Sequence, residues 1–314
     1  MTTVSTPAAS PVAPAATGRS PSRVIWDRIR RDRAAKFGMV IIVLFVLIAV
    51  TAPLLTMING WSPYDFDPTA VDKRMAGVPK GILGGISAEH WLGVEPVSGR
   101  DIFSRVVYGA QISLLISVLA MIVSVAVGTV LGLLAGYFGG WVDAGISRVM
   151  DLLMSFPSLI FMIALISVMP EGNRVLLLVA IMGGFGWPYI GRIVRGQAIT
   201  IKHREYVDAA RVGGAMGASI LFREMLPNLT APILVYATLA IPTNIGTEAA
   251  LSFLGVGVRP PTASWGQMIQ ESMLWYEVDP MYFLVPGTCL FLTVLAFTLF
   301  GDALRDAIDP KGSR

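Results

Sequence analysis

EYVDAARVGGAMGASILFREMLPN, residues Glu205–Asn228, is a half-polar, helix-compatible stretch set between two long apolar runs. A short turn would be enough to join two membrane helices, so the extra length needs an explanation. The surroundings come first. The chain has 314 residues, of which 54% are hydrophobic and 14% charged, and its mean hydropathy is +0.66. Ordinary soluble domains carry about 25% charged residues. Here the apolar residues gather in runs of about 20, the length that crosses a hydrocarbon core of about 30 Å at 1.5 Å per residue. The composition excludes a soluble domain and predicts an all-α polytopic membrane protein.

Six runs predict six transmembrane helices: 37–58, 112–137, 149–169, 175–194, 229–250 and 282–300. Asp151, Pro157 and Pro188 interrupt the third and fourth. Residues 1–22 are Ala, Pro, Ser and Thr with little else and no periodicity, the composition of a disordered tail. The first run exceeds the apolar region of a signal peptide and no convincing A-x-A-like site follows it, so it is expected to be a retained span. The chain then divides into a basic segment with the first helix (23–58), a loop (59–111), a five-helix core (112–300) that contains the half-polar segment (200–228), and a tail (301–314).

The basic residues orient these spans, because Lys and Arg concentrate on the cytoplasmic side. With both termini and the 195–228 segment inside, 17 of the 24 basic residues are inside. Five of the other seven fall in the 59–111 loop, which also carries six acids. Both termini and the EYVDAAR stretch are therefore expected to face the cytoplasm, and 59–111 and 251–281 to lie outside. Trp265, Trp275 and Tyr276 are candidate interfacial anchors there.

Within the spans, Gly128, Gly132 and Gly136 recur every four residues, a stripe that brings one helix face close to a neighbouring backbone. Prolines 157, 188, 242 and 286 remove amide donors and kink helices, whether as ordinary membrane-helix prolines or as gating breaks. Glu248 is the acid set deepest near a span, where a charge must face protein or water. It is read either as a structural acid or as lining a pathway. Asp151 has Arg148 at i−3 as a candidate partner. The lone Cys289 excludes a disulfide framework, and His90 and His203 stand far apart, so no metal site is expected.

As a helix, residues 204–212 contain good formers and no proline. GGAMG then loosens the chain, and ASILFREML ends at Pro227. The result is a compact knob of two short helical pieces around a glycine-rich turn. Tyr206, Val207, Ala210 and Met216 would supply contacts, while Arg211, Arg223 and Glu224 would stay in water or pair. Two readings stay open on physical grounds: a docking surface for another protein, or an amphipathic helix lying in the interface.

The segment resembles the EAA motif of binding-protein-dependent ABC import permeases. Asp208, Ala209 and Ala210 match its opening, Gly214 its glycine, and Leu226 and Pro227 its end. SGRDIFSRVVYGAQISLLIS (98–117), YIGRIVRGQAI (189–199), EAALSFLGVGVRPPTASWGQMI (248–269) and FGDALRDAIDP (300–310) resemble the second permease of dipeptide, oligopeptide or nickel importers. The likeness covers about residues 29–311. It implies a type I ABC importer permease fold in a bacterial or archaeal cytoplasmic membrane, with a cytoplasmic coupling helix pair. Glu205, Tyr206, Asp208, Ala209, Ala210, Gly214, Leu226 and Pro227 would form the coupling site. The implied partners are a homologous second permease, two ATP-binding subunits that hold ATP and Mg2+, and an extracytoplasmic binding protein delivering a peptide. The chain itself has no G-x-x-x-x-G-K-[ST] loop, so it would be a non-catalytic subunit without a cofactor or nucleic-acid partner. Import of nickel or another small solute by the same machinery, or ion-coupled secondary transport through Glu248, are the alternatives.

Overall fold

A computed structural model describes residues 21–170 and 172–308. Most of the tail expected to be disordered, residues 1–20, lies outside them, as do 309–314. Five helices are long and apolar enough to cross a membrane, six if one sharply bent pair counts as a span.

The first helix, α1 (Pro21–Arg31), ends in Arg28, Arg30 and Arg31. It lies against the end of the last helix, with Ile29 buried among Ala303 and Ala307. The Arg28 guanidinium donates to the Ala307 carbonyl at 3.1 Å. Asp32 caps α2 (Arg33–Val50) by accepting from the amides of Ala34 and Ala35. A break at Thr51, with Pro53 just beyond, starts α3 (Ala52–Asn59). The expected first span is therefore two helices.

The following loop folds on itself, and β1 (Val71–Asp72) pairs antiparallel with β2 (Val78–Pro79). Asp101 then caps α4 (Ile102–Phe138), accepting from Ser104 N at 2.7 Å. This helix has 37 residues and starts well before the apolar run. The polar first turns of α4 stay helical because Asp101 caps them and because Arg105 is fully buried among partners.

The third run departs from expectation. It forms α5 (Gly140–Ser155) and α6 (Ser158–Val168), bent by 89° at Phe156–Pro157. Proline has no amide to continue α5, and it disfavours helical geometry at the residue before it. At 11 residues, α6 cannot cross a bilayer by itself. Asp151 pairs with Arg192 rather than with Arg148, with Nη2–Oδ1 at 2.6 Å.

Helix α7 (Arg174–Ile201) packs along α4 on the glycine stripe. A Cβ at Gly132 would sit 2.5 Å from the Gly191 carbonyl oxygen, one at Gly128 2.6 Å from that of Trp187, and one at Gly136 2.6 Å from Ala198 Cβ. Only hydrogen fits at these three positions.

Beyond the half-polar segment come α10 (Leu226–Phe253), α11 (Trp265–Ser272) and α12 (Pro280–Ile308). Prolines 188, 242 and 286 all lie inside helices. Trp265 is not an interfacial anchor. It is fully buried, edge-on to Phe45, and its ring nitrogen donates to the Val106 carbonyl. Tyr276 is exposed.

Candidate functional site

The half-polar segment holds one free-standing helix, not two. Helix α8 (Glu205–Val212) stops at Gly213, and a turn leads into α9 (Gly217–Ser219), a single turn. A π-helical stretch, Ile220–Met225, then runs straight into α10. The second expected piece is thus the foot of a spanning helix, so the segment is tied directly to α10.

The turn is built by backbone geometry. Gly214 has φ +80°, the left-handed conformation that a side chain disfavours. Its amide donates to the Arg211 carbonyl and that of Ala215 to the Ala210 carbonyl. This pair of bonds is a Schellman stop. Ala215 and Ala210 also meet in one apolar cluster, the side-chain contact that accompanies such a stop.

That cluster fastens the segment to the bundle. Val207, Ile220, Leu221 and Met225 are buried against Leu133 of α4 and Ile190, Val194 and Ala198 of α7. Ala210 and Leu226 pack on the same cluster. Val207 and Ala210, expected to supply contacts, make them inward and hold α8 in place. Helical periodicity decides this, because 207, 210 and 211 fall within one turn and only the smaller, apolar pair faces α4 and α7.

The outer face carries Glu205, Tyr206, Asp208, Ala209, Arg211, Val212 and Met216, all exposed, and Pro227 is exposed at the start of α10. Val212 is 90% exposed and Met216 79%. Arg211 pairs with Asp208 at 2.9 Å and lies over the Tyr137 ring. A groove of about 750 Å3 beside α8 is lined by Gln197, Thr200, His203, Arg204, Glu205, Tyr206 and Asn228, among others. This surface is rigid behind and open in front, with apolar side chains flanked by acids and an arginine.

A second feature lies within the bundle. A cavity of about 400 Å3 opens between α4, α6, α7 and α10. Its polar wall is neutral: Ser124, Ser158, Tyr189, Tyr236, Thr243, Asn244 and Thr247. Tyr236, Ala240, Thr243 and Thr247 share one face of α10 at helical spacing. That spacing was visible in the sequence, yet it was hidden by the high apolar content of the run.

Glu248, next in sequence to Thr247, points the other way. It is fully buried and accepts from Ser113 of α4 at 2.9 Å and from Ser252 at 2.7 Å. Ser113 in turn accepts from the Trp265 amide at 3.3 Å. The acid ties α10 to α4 and α11 and does not line the cavity. Among the described residues, no group of three or more His, Cys, Asp or Glu side chains gathers as for a metal ion.

At the end opposite α8, the loops lock together through buried charge. Glu95 meets both Arg105 and Arg100, the latter at 2.6 Å. The Tyr282 hydroxyl of α12 lies 2.9 Å from Glu271 and 3.1 Å from Glu95, and its one proton is shared between the two carboxylates. Beside this network, His90 lies between Asp101 (3.0 Å) and Asp67 (3.4 Å), under Trp61. The Asp67 carboxyl is held below its ordinary value, first by the Thr69 hydroxyl and then by the Thr69 amide and His90. Residues 59–111 and 251–281 therefore form one rigid cap.

An apolar bundle, a short helix held outward at one end and a charged cap at the other define an integral membrane transport subunit. Residues 128–314 match the family described as binding-protein-dependent transport system inner membrane component, and the chain belongs to that family. Residues 20–76 match the N-terminal TM domain of oligopeptide transport permease C. The chain is 39% identical over 296 residues to the dipeptide transport system permease protein DppC of Alkalihalophilus pseudofirmus, covering 94% of this chain and 91% of the relative. It is 41% identical over 294 residues to the glutathione transport system permease protein GsiD of Salmonella typhimurium, with 93% and 91% covered.

Proposed function

We propose that this chain is one of two transmembrane permeases of an ATP-driven importer that passes di- or oligopeptides inward, and that α8 is where the motor takes hold. The similarity to dipeptide and glutathione permeases supports the substrate class, since both named solutes are short peptides. In this reading the α8 end faces the cytoplasm of a bacterial or archaeal cell, and so do both termini. The outer face of α8 sits in a groove of an ATP-binding subunit, which holds ATP and Mg2+. Glu205, Tyr206 and Asp208 meet that subunit beside Val212 and Met216. Gly214, Ala210 and Leu226 hold the helix in position for it. The cap of 59–111 and 251–281 receives the loaded binding protein.

The observation that carries this is the two-faced build of α8. Val207 is fully buried on α4 and α7 while Val212, five residues on, is 90% exposed. A push on the outer face passes straight into α7 and, through the π-helical stretch, into α10, both of which line the central cavity. ATP binding closes the motor pair, moves α8 and opens the path outward; hydrolysis resets it.

Co-purification from membranes tests the reading. Wild type is expected to retain the second permease and both ATP-binding subunits. An Asp208→Lys, Gly214→Trp double variant that inserts at the normal level is expected to lose the ATP-binding subunits and peptide uptake together. Uptake that survives without those subunits would refute it.

A further inference from the structure

One pair of charges on the bundle is left unused by the coupling segment and by the cap. Arg192 of α7 and Asp151 of α5 are joined by a hydrogen bond of 2.6 Å, with side chains 52% and 60% exposed. Arg192 stands nine positions before the end of α7, about 14 Å at 1.5 Å per residue. The pair is thus well inside the helix rather than at its tip. Both side chains are more than half exposed at the edge of the 175–194 run, so this side of α5 and α7 opens to water.

The neighbouring pair is built differently. Arg195 grips both oxygens of Asp143, and Ser147 donates to the same carboxylate. Both of its partners are less than one-third exposed. The inner pair holds α5 onto α7, so the outer pair is free to open without parting the helices. Arg192, Asp151, Arg195 and Ser147 border a cavity of about 400 Å3. Tyr189, one turn from Arg192 on α7, lines the neutral cavity described above, as does Ser158 at the start of α6, beyond the 89° bend that follows α5. The two cavities follow one another along a single face of α7.

We propose that Arg192 and Asp151 form an exchangeable clamp for the two ends of a peptide zwitterion. The peptide's terminal carboxylate replaces Asp151 on Arg192, and its terminal ammonium replaces Arg192 on Asp151. The planar guanidinium suits a carboxylate in two-point contact. An extended dipeptide spans about 7 Å, so the clamp opens by little more than one side-chain length. The exchange keeps every charge partnered and the net charge of the site at zero. A peptide blocked at one end leaves a protein charge without its partner. The neutral hydroxyls and amide of the adjoining cavity bond to peptide groups whatever the side chains. The termini are therefore read at Arg192 and Asp151, and the residue side chains are hardly read there. This inference rests on the peptide-importer reading.

The complete complex in proteoliposomes tests it through the ratio of peptide carried to ATP hydrolysed, with dialanine as the solute. Arg192→Gln and Asp151→Asn are each expected to lower that ratio by about tenfold or more, the effect of losing one charged hydrogen-bond partner. Arg192→Lys, which keeps the charge, is expected to stay within about threefold. If the neutral variants carry dialanine at the wild-type ratio, the pair is only a helix fastener and the clamp is overturned. A second measurement needs no variant: dicarbonyl modification of Arg192 in the wild-type complex, read by peptide mass spectrometry. Millimolar dialanine is expected to slow it and dialanine amide to leave it unchanged. Equal effects of the two, or none, overturn the clamp. A wild-type complex that carries no peptide at all would sink the importer reading and the clamp with it. Wild-type uptake with unaltered ratios in the variants sinks the clamp alone.

Discussion

Arg105 and Arg211 show how far burial changes the worth of an ion pair. Arg105 is fully buried with Glu95 and Gln267 as partners, so Arg105→Met leaves the buried Glu95 with Arg100 as its remaining cationic partner. The expected cost is about 1–3 kcal/mol in the unfolding of the detergent-solubilised protein. Arg211→Ala removes a pair whose side chains are more than half exposed, and the same measurement should move by less than about 0.5 kcal/mol. Asp279 supplies a pH signature. It caps α12 ahead of Pro280, accepting from Tyr282 N, and burial raises its carboxyl above the ordinary 3.8. The folded state then holds the proton more tightly than the unfolded chain, so this group favours folding most below that value. Its contribution fades as pH rises through the folded value. Asp279→Asn should therefore gain stability relative to wild type as pH increases from about 4 to 7, seen as a rise in the variant's Tm minus that of wild type. A fall in that quantity over the same range would contradict the assignment. Neither Asp279 nor Glu95 could be singled out from sequence, because the burial that sets their worth comes from tertiary packing.

At the scale of elements, helix α4 owes its contact with α7 to absent side chains. Gly132→Val places a branched side chain where even a Cβ would lie 2.5 Å from a backbone oxygen. Neither backbone can yield cheaply, so the variant is expected to lose about 1–3 kcal/mol or more. A lowered Tm and a lower membrane level would register it. Gly140→Ala, at the start of α5, is a poor control because that residue has φ +51°; Gly145, with open space around it, is a fair one, and Gly145→Ala should change little. The stripe itself was legible from its four-residue spacing, and so was α8 from its helix formers and glycine stop. The break between α5 and α6 was only half legible. Pro157 marked its position, but hydropathy averages over a bend, and the 89° angle comes from what α6 packs against. The single continuous helix from 217 onward was missed for a related reason. Local propensity hands each piece its own helix, whereas the buried Ile220, Leu221 and Met225 hold the π-helical stretch in line with α10.

For the whole molecule, orientation is the testable property. In a Cys289→Ser background, Val212→Cys and Leu274→Cys place single thiols at positions 90% and 87% exposed. With the α8 end inside, an impermeant maleimide added to intact cells should label the second and spare the first, and membrane disruption that also strips off the ATP-binding subunits should expose both. Labelling of Val212→Cys in intact cells would invert the proposed topology. The cap and the coupling segment would then face the wrong compartments for import.

Long apolar helices at five of the six runs and the place of α8 were legible in the sequence alone, and so was an expectation of sidedness. They depend on run length, charge placement and glycine position, which are local quantities along a chain that must satisfy its own backbone in lipid. Which face of each helix meets a neighbour was decided only by the tertiary structure. Glu248 illustrates the difference: from sequence a structural role was favoured over a pathway one without a partner to name, and packing turned it toward Ser113 and Ser252 while Thr247 turned toward the cavity. Arg192 found Asp151 across 41 residues, although Arg148 stood one turn away. In a bundle that is apolar on nearly every face, periodicity cannot say which side is inside, so the pairing of distant polar groups waits for the helices to assemble.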